Sequence, residues 1–160
     1  MINVTCFFGF EGKSLDFAQI SAVTGVELAT TRRASQTPRL GVVPKDSWYV
    51  EVEDWGRSLV GVGSNPITTW PTVAGPLSRV LSLVSGREDQ IAEYCRHRHI
   101  DVLLVVVIGS TDNQLPILDI PTSLIALAAR LGACITFDPY LKYGRKYGKK
   151  ECPELWLQEQ

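Results

Sequence analysis

Three stretches carry residue types that chemistry uses. Residues 95–100 read CRHRHI and hold both histidines of the chain, His97 and His99, next to Cys95. A thiol and two imidazoles are zinc ligands by type. Their spacing argues against that role, because side chains two positions apart on a helix point to different faces and no second ligand pair follows elsewhere. Cations at a helix end complement its C-terminal dipole, which accounts for Arg96, His97, Arg98 and His99 without a metal. A serine or cysteine nucleophile would need a base and an orienting group, and no G-x-S-x-G motif occurs. Gly61-Val62-Gly63-Ser64 lacks the lysine and the following helix of a phosphate loop. The expectation is therefore no enzyme, no cofactor and no metal.

The second stretch, SWYVEVEDW over residues 47–55, sets three carboxylates close together: Glu51, Glu53 and Asp54. Such a group could do acid and base work. On a half-exposed strand, however, alternate acids form the solvated face, with Trp48, Val50 and Val52 turned inward and Tyr49, Glu51 and Glu53 outward. An outward acidic ridge would steer a basic partner. Tyr49, Glu51, Glu53, Asp54 and Trp55 are the residues we assign to partner binding from sequence. The third stretch, KYGRKYGKK over residues 142–150, interleaves five cations with Tyr143 and Tyr147. Cations beside stacking rings can hold a single nucleic-acid strand, but the formal net charge of the whole chain is −1, so a solvated tail is preferred.

The elements that position these residues follow from periodicity. With 160 residues, 45% hydrophobic and 21% charged, the chain suits one globular domain. We place that domain at residues 1–140 and a partly basic tail at 141–160. Cys6, Cys95, Cys134 and Cys152 form no C-x-x-C pair, and Cys6 and Cys134 lie in apolar runs, so buried free thiols in a reducing cytoplasm are expected. The most apolar run, residues 102–108, is far shorter than the roughly 20 residues that span a bilayer.

Residues 2–9 alternate as a strand ending at Gly9. A helix follows, with Ser14 as its cap, Asp16 in its first turn, Phe17, Ile20 and Val23 or Thr24 inward, and Gly25 as its stop. Residues 27–46 read as an irregular connection and 57–69 as a loop. Leu77, Val80, Leu81 and Val84 mark a helix entered through Pro76, and Ile91, Tyr94 and Cys95 mark another starting near Glu88. Residues 100–108 (IDVLLVVVI) read as a strand inside the sheet. Pro121 opens a last helix with Leu124, Leu127, Ala128 and Leu131 inward and Gly132 at its end, before a strand over residues 133–137. Both ends repeat a strand, glycine, helix, glycine order, which raises an internal duplication. The order predicts an α+β fold: helices packed on one face of a largely antiparallel four- to five-stranded sheet, akin to a ferredoxin-like plan.

Taken together, FEGKSLDFAQISAVTGVEL, the tryptophan-led SWYVEVED, the helix pair before DVLLVVVIG and the closing LDIPTSLIALAARLGACITFDPY resemble the bacterial domain-of-unknown-function family 4279. The matching positions are Ile20, Gly25, Trp48, Leu124, Leu127, Leu131, Gly132, Phe137, Asp138 and Tyr140, mostly core and turn residues. The chain differs by a longer connection over residues 56–76 and by its basic tail. The resemblance implies a small cytoplasmic bacterial protein, and some family members are thought to be immunity proteins against secreted or contact-delivered toxins. The function expected is thus neutralisation of a cognate toxin by surface fit, with no membrane involved. The alternatives are a small-molecule-binding or catalytic domain with a pocket between sheet and helices, and nucleic-acid binding through the tail.

Overall fold

The computed structural model describes residues 2–34, 45–56, 72–110 and 116–141, with the backbone alone for 54–56 and 140–141. The elements run β1 (Ile2–Gly12), α1 (Phe17–Thr24), β2 (Thr30–Arg32), β3 (Asp46–Gly56), α2 (Ala74–Ser82), α3 (Glu88–Arg98), β4 (Asp101–Ser110), α4 (Thr122–Leu131) and β5 (Cys134–Leu141). The five strands form one sheet in the order β2-β3-β1-β4-β5. All neighbouring pairs are antiparallel except β4 with β5. The α+β class is therefore observed. Its first four strands follow the ferredoxin-like order, with β3 lying between β1 and β2, and β1 between β3 and β4. Helices α4 and strand β5 extend that plan at one edge.

Strand alternation decides which residues meet the helices. Ile2, Val4, Cys6, Phe8 and Phe10 of β1, Trp48 and Val50 of β3, and Val102, Leu104, Val106 and Ile108 of β4 are buried, and they form one cluster with Leu77, Val80 and Leu81 of α2, Ile91 of α3 and Leu131 of α4. Burying each such side chain stabilises the fold by about 1.5–3 kcal/mol. Trp48 is fully buried, with its indole N–H donating to Ser21 Oγ at 3.2 Å. Side chains at odd positions of the same strands point to the other face, which no described helix covers.

Several expectations change. Strand β1 runs past Gly9 to Gly12 and pairs on both sides as far as Glu11. Gly9 is a close-approach residue, since a Cβ there would lie 2.8 Å from the Trp48 carbonyl oxygen and 2.9 Å from Tyr49 Cβ. Ser14 does not cap α1. It has a left-handed backbone (φ 56°), whereas Asp16 has the extended backbone a cap requires and accepts from Gln19 N at 3.0 Å. Gly25 ends the helix as expected, at φ 73°. The connection over 27–46 contains β2, three exposed residues paired with Ser47, Trp48 and Tyr49. Cys134 is exposed rather than buried, because it starts the outermost strand on the face away from the helices. The two ends of the chain also differ in topology: β4 and β5 are neighbours, while β3 separates β1 from β2.

Asp46 holds the turn side of the sheet together. Its buried carboxylate accepts from Leu15 N (2.9 Å), Ala34 N (2.7 Å) and Arg33 Nη1 (2.7 Å). The Ala34 amide first, then Arg33 and the Leu15 amide, hold this carboxyl below its usual range. Arg33 also lies 4.0 Å over the Phe17 ring and donates to the Leu15 carbonyl, which fixes the entry of α1 beside β2 and β3. On the opposite side, Glu88 accepts from Gly86 N, and Arg130 of α4 approaches both Glu88 and Asp89 of α3.

Candidate functional site

The face away from the helices is built by register. Across it run the rows Tyr49, Gly9, Leu103 and Cys134; Glu51, Phe7, Val105 and Thr136; and Glu53, Thr5, Val107 and Asp138. Phe7, Tyr49, Leu103, Val105 and Val107 are each partly exposed, and together they make an apolar strip. The Phe7 and Tyr49 rings meet edge to face with centroids 5.9 Å apart. Gly9 leaves the space beside Tyr49 that a side chain would fill, so the tyrosine sits against bare backbone.

Acids border the strip. Glu51 and Glu53 are exposed on β3, and Asn3 Nδ2 donates to Glu53 Oε1 at 2.9 Å, which orients that carboxylate. Asp138 faces the same way from β5, and partial burial raises its carboxyl above the ordinary value. None of these three has a cationic partner among the described residues. At the far end a cation is present: Lys45 Nζ lies 2.7 Å from Asp101 and 3.8 Å from Glu11, and the Asp101 hydrogen bond is the main reason its own pKa is raised. Glu51, Glu53 and Asp138 thus lie away from that lysine, with no cation beside them among the described residues.

Of the five residues assigned from sequence, Tyr49, Glu51 and Glu53 come together on this face. Trp55 pairs with Asn3 and Asp54 with Val4 in the ladder; their side chains lie outside the described part. The basic stretch 142–150 and the Gly61 to Ser64 stretch also lie outside the described residues. Phe7, Val105, Val107 and Asp138 were not among the five. Phe7 carries a signal in the alternation of residues 2–10, but β4 is apolar at every position from Val102 to Ile108, so its sequence does not say which residues face out.

The groups read as possible chemistry are placed apart from this face. Cys6 and Cys95 are buried, and burial pushes both thiols up to about 12, away from the thiolate that a nucleophile or metal ligand needs. His97 Nε2 sits 3.8 Å from Glu93 one turn earlier, both exposed, while His99 takes the left-handed position that ends α3. Arg98 lies over the Tyr94 ring at 4.3 Å. Among the described residues no group of three or more His, Cys, Asp or Glu is arranged to hold a metal ion, and no helix is long and apolar enough to cross a membrane.

A ferredoxin-like α+β sheet with helices on one side and an acid-bordered apolar strip on the other defines a small α+β domain with one sheet face free of described helices. The chain belongs to the family described as domain of unknown function (DUF4279), whose model matches residues 2–142. No curated protein and no solved structure matches it.

Proposed function

We propose that this chain is a non-enzymatic immunity protein that binds a cognate bacterial toxin in the cytoplasm through the face described above. One observation carries the reading: an aromatic pair, Phe7 and Tyr49, flanked by exposed glutamates that have no cationic partner among the described residues, on a sheet face that no described helix covers. Aromatic residues in a desolvated centre with charges at the rim is the anatomy of a specific protein interface. Four strand spacings of ~4.8 Å and ten residues of ~3.3 Å give the sheet a projected face of about 600 Å², near the roughly 800 Å² each side buries in a standard complex. Glu51, Glu53 and Asp138 would attract a toxin surface rich in Lys and Arg, such as one that handles nucleic acid, and speed its encounter.

The family's unassigned function leaves the activity open, and the immunity role extends to this chain what is thought of some of its members. The test is genetic. The product of the neighbouring reading frame is expressed alone and with this chain. Growth arrest relieved only by co-expression supports the role. Arrest that persists with the chain present, or the absence of any toxic neighbour, rejects it.

A further inference from the structure

The acid-bordered strip has a potential occupant within the chain itself. Residues 142–150 carry five cations and two tyrosines, and they follow directly on β5. Strand β5 ends at Leu141 opposite Ser110, three residues beyond the pairing of Asp138 with Val107. From there to Glu53 the sheet must be crossed from β5 over β4 and β1 to β3. Three spacings of ~4.8 Å across and three residues of ~3.3 Å along the strands make about 17 Å to Glu53 and about 22 Å to Glu51, which an extended chain covers in about five to seven residues. Lys146, Lys149 and Lys150 are five, eight and nine residues beyond Leu141, so the segment has the length to bring cations to Glu53 and Glu51.

We propose that the basic segment 142–150 docks on the outer face of its own sheet, its cations against Glu51, Glu53 and Asp138 and its tyrosines along Phe7, Val105 and Val107. Charge complementarity and reach select this occupant, and the tether replaces a bimolecular encounter with an intramolecular one at an effective concentration of about a millimolar. Exposed ion pairs are individually weak and screened by salt, so the segment exchanges on and off the face. This goes beyond the binding reading, because it concerns the chain without any partner.

The experiment uses the full chain. In a Cys134→Ser variant, Cys152 is left as the reactive thiol, since Cys6 and Cys95 are buried. A nitroxide on Cys152 should weaken the amide signals of Thr5, Tyr49, Glu51 and Val107 at about 20 mM salt and release them at about 500 mM, where screening is strong. The same signals should recover when Lys142, Arg145, Lys146, Lys149 and Lys150 are changed to Gln, or when Glu51→Gln and Glu53→Gln are combined. If labelling disturbs the fold, the salt dependence of these amide shifts in the unlabelled chain, compared with the glutamine tail variant, gives the same answer. Signal loss on α2 or α3 instead, equal loss in all variants, no loss at all, or loss appearing only between separate copies in a mixed sample overturns the proposal. None of these outcomes bears on whether a toxin binds, so the two readings fail separately.

Discussion

Replacing Asp46 by Asn should destabilise the fold by about 2–4 kcal/mol, and the size follows from what the carboxylate holds. Oδ2 accepts from both Leu15 N and Arg33 Nη1, and Oδ1 accepts from Ala34 N. An amide keeps one acceptor and turns an N–H₂ toward the other donors. One backbone bond is therefore lost in a buried site, at about 1–3 kcal/mol, and the other weakens from a charged to a neutral bond, at about 1 kcal/mol. The Arg33 side chain is 62% exposed, so its ion pair adds at most about 1 kcal/mol after solvent screening. In a chain of this size a loss of 2–4 kcal/mol lowers Tm by roughly 5–15 °C. Because the folded pKa of Asp46 is depressed, its contribution is complete above the unfolded value of about 3.9 and is lost as the pH falls through the folded value. Urea unfolding of both proteins at neutral pH and at stepwise lower pH measures this. The gap should be widest at neutral pH and should narrow below about pH 4 as the wild-type carboxylate is protonated. A difference under about 0.5 kcal/mol at neutral pH, the size of an ordinary surface change, refutes the assignment of Asp46 as a structural clasp, as does a gap that ignores pH.

Further outcomes follow from single contacts. Gly9→Ala drives a Cβ into the Trp48 carbonyl and Tyr49 Cβ; it should cost about 1–3 kcal/mol in chemical denaturation and shift the Tyr49 ring signals by NMR. Gly25→Ala meets both a left-handed backbone and the Arg87 guanidinium, whose Nη1 donates to the Ala22 and Val23 carbonyls at the end of α1; a loss of about 1–2 kcal/mol is expected, with Tm as the readout. In the native chain Cys134 should react with a thiol reagent at neutral pH, while Cys6 and Cys95 become reactive only on unfolding, as judged by mass spectrometry of digested peptides.

Long periodic elements were legible in the sequence because hydrophobic spacing alone specifies them. Leu77, Val80, Leu81 and Val84 point inward as their spacing predicts, and Trp48 with Val50 takes the buried side of β3. Elements held by tertiary contacts were not legible. Strand β2 has three exposed residues and no pattern of its own, and exists through pairing with β3 and the Arg33 to Asp46 clasp. Gly9 looked like a terminator because glycine usually breaks strands, whereas here a neighbouring strand's carbonyl demands its missing side chain. The candidate face was half legible for the same reason. Tyr49, Glu51 and Glu53 stand out by alternation on β3, but their neighbours Phe7, Val107 and Asp138 join them only through strand order and register, which no local spacing records.

The most direct measurement is calorimetric titration of the toxin domain proposed as partner into the wild-type chain and into a chain carrying Glu51→Lys with Glu53→Lys. These side chains are exposed on the outer face, so stability should stay within about 0.5 kcal/mol of wild type. Reversing two interfacial charges at about 1.5 kcal/mol each should weaken binding about 100-fold, with a steep dependence on salt. Unchanged affinity in the reversed variant would contradict recognition through this face of the sheet.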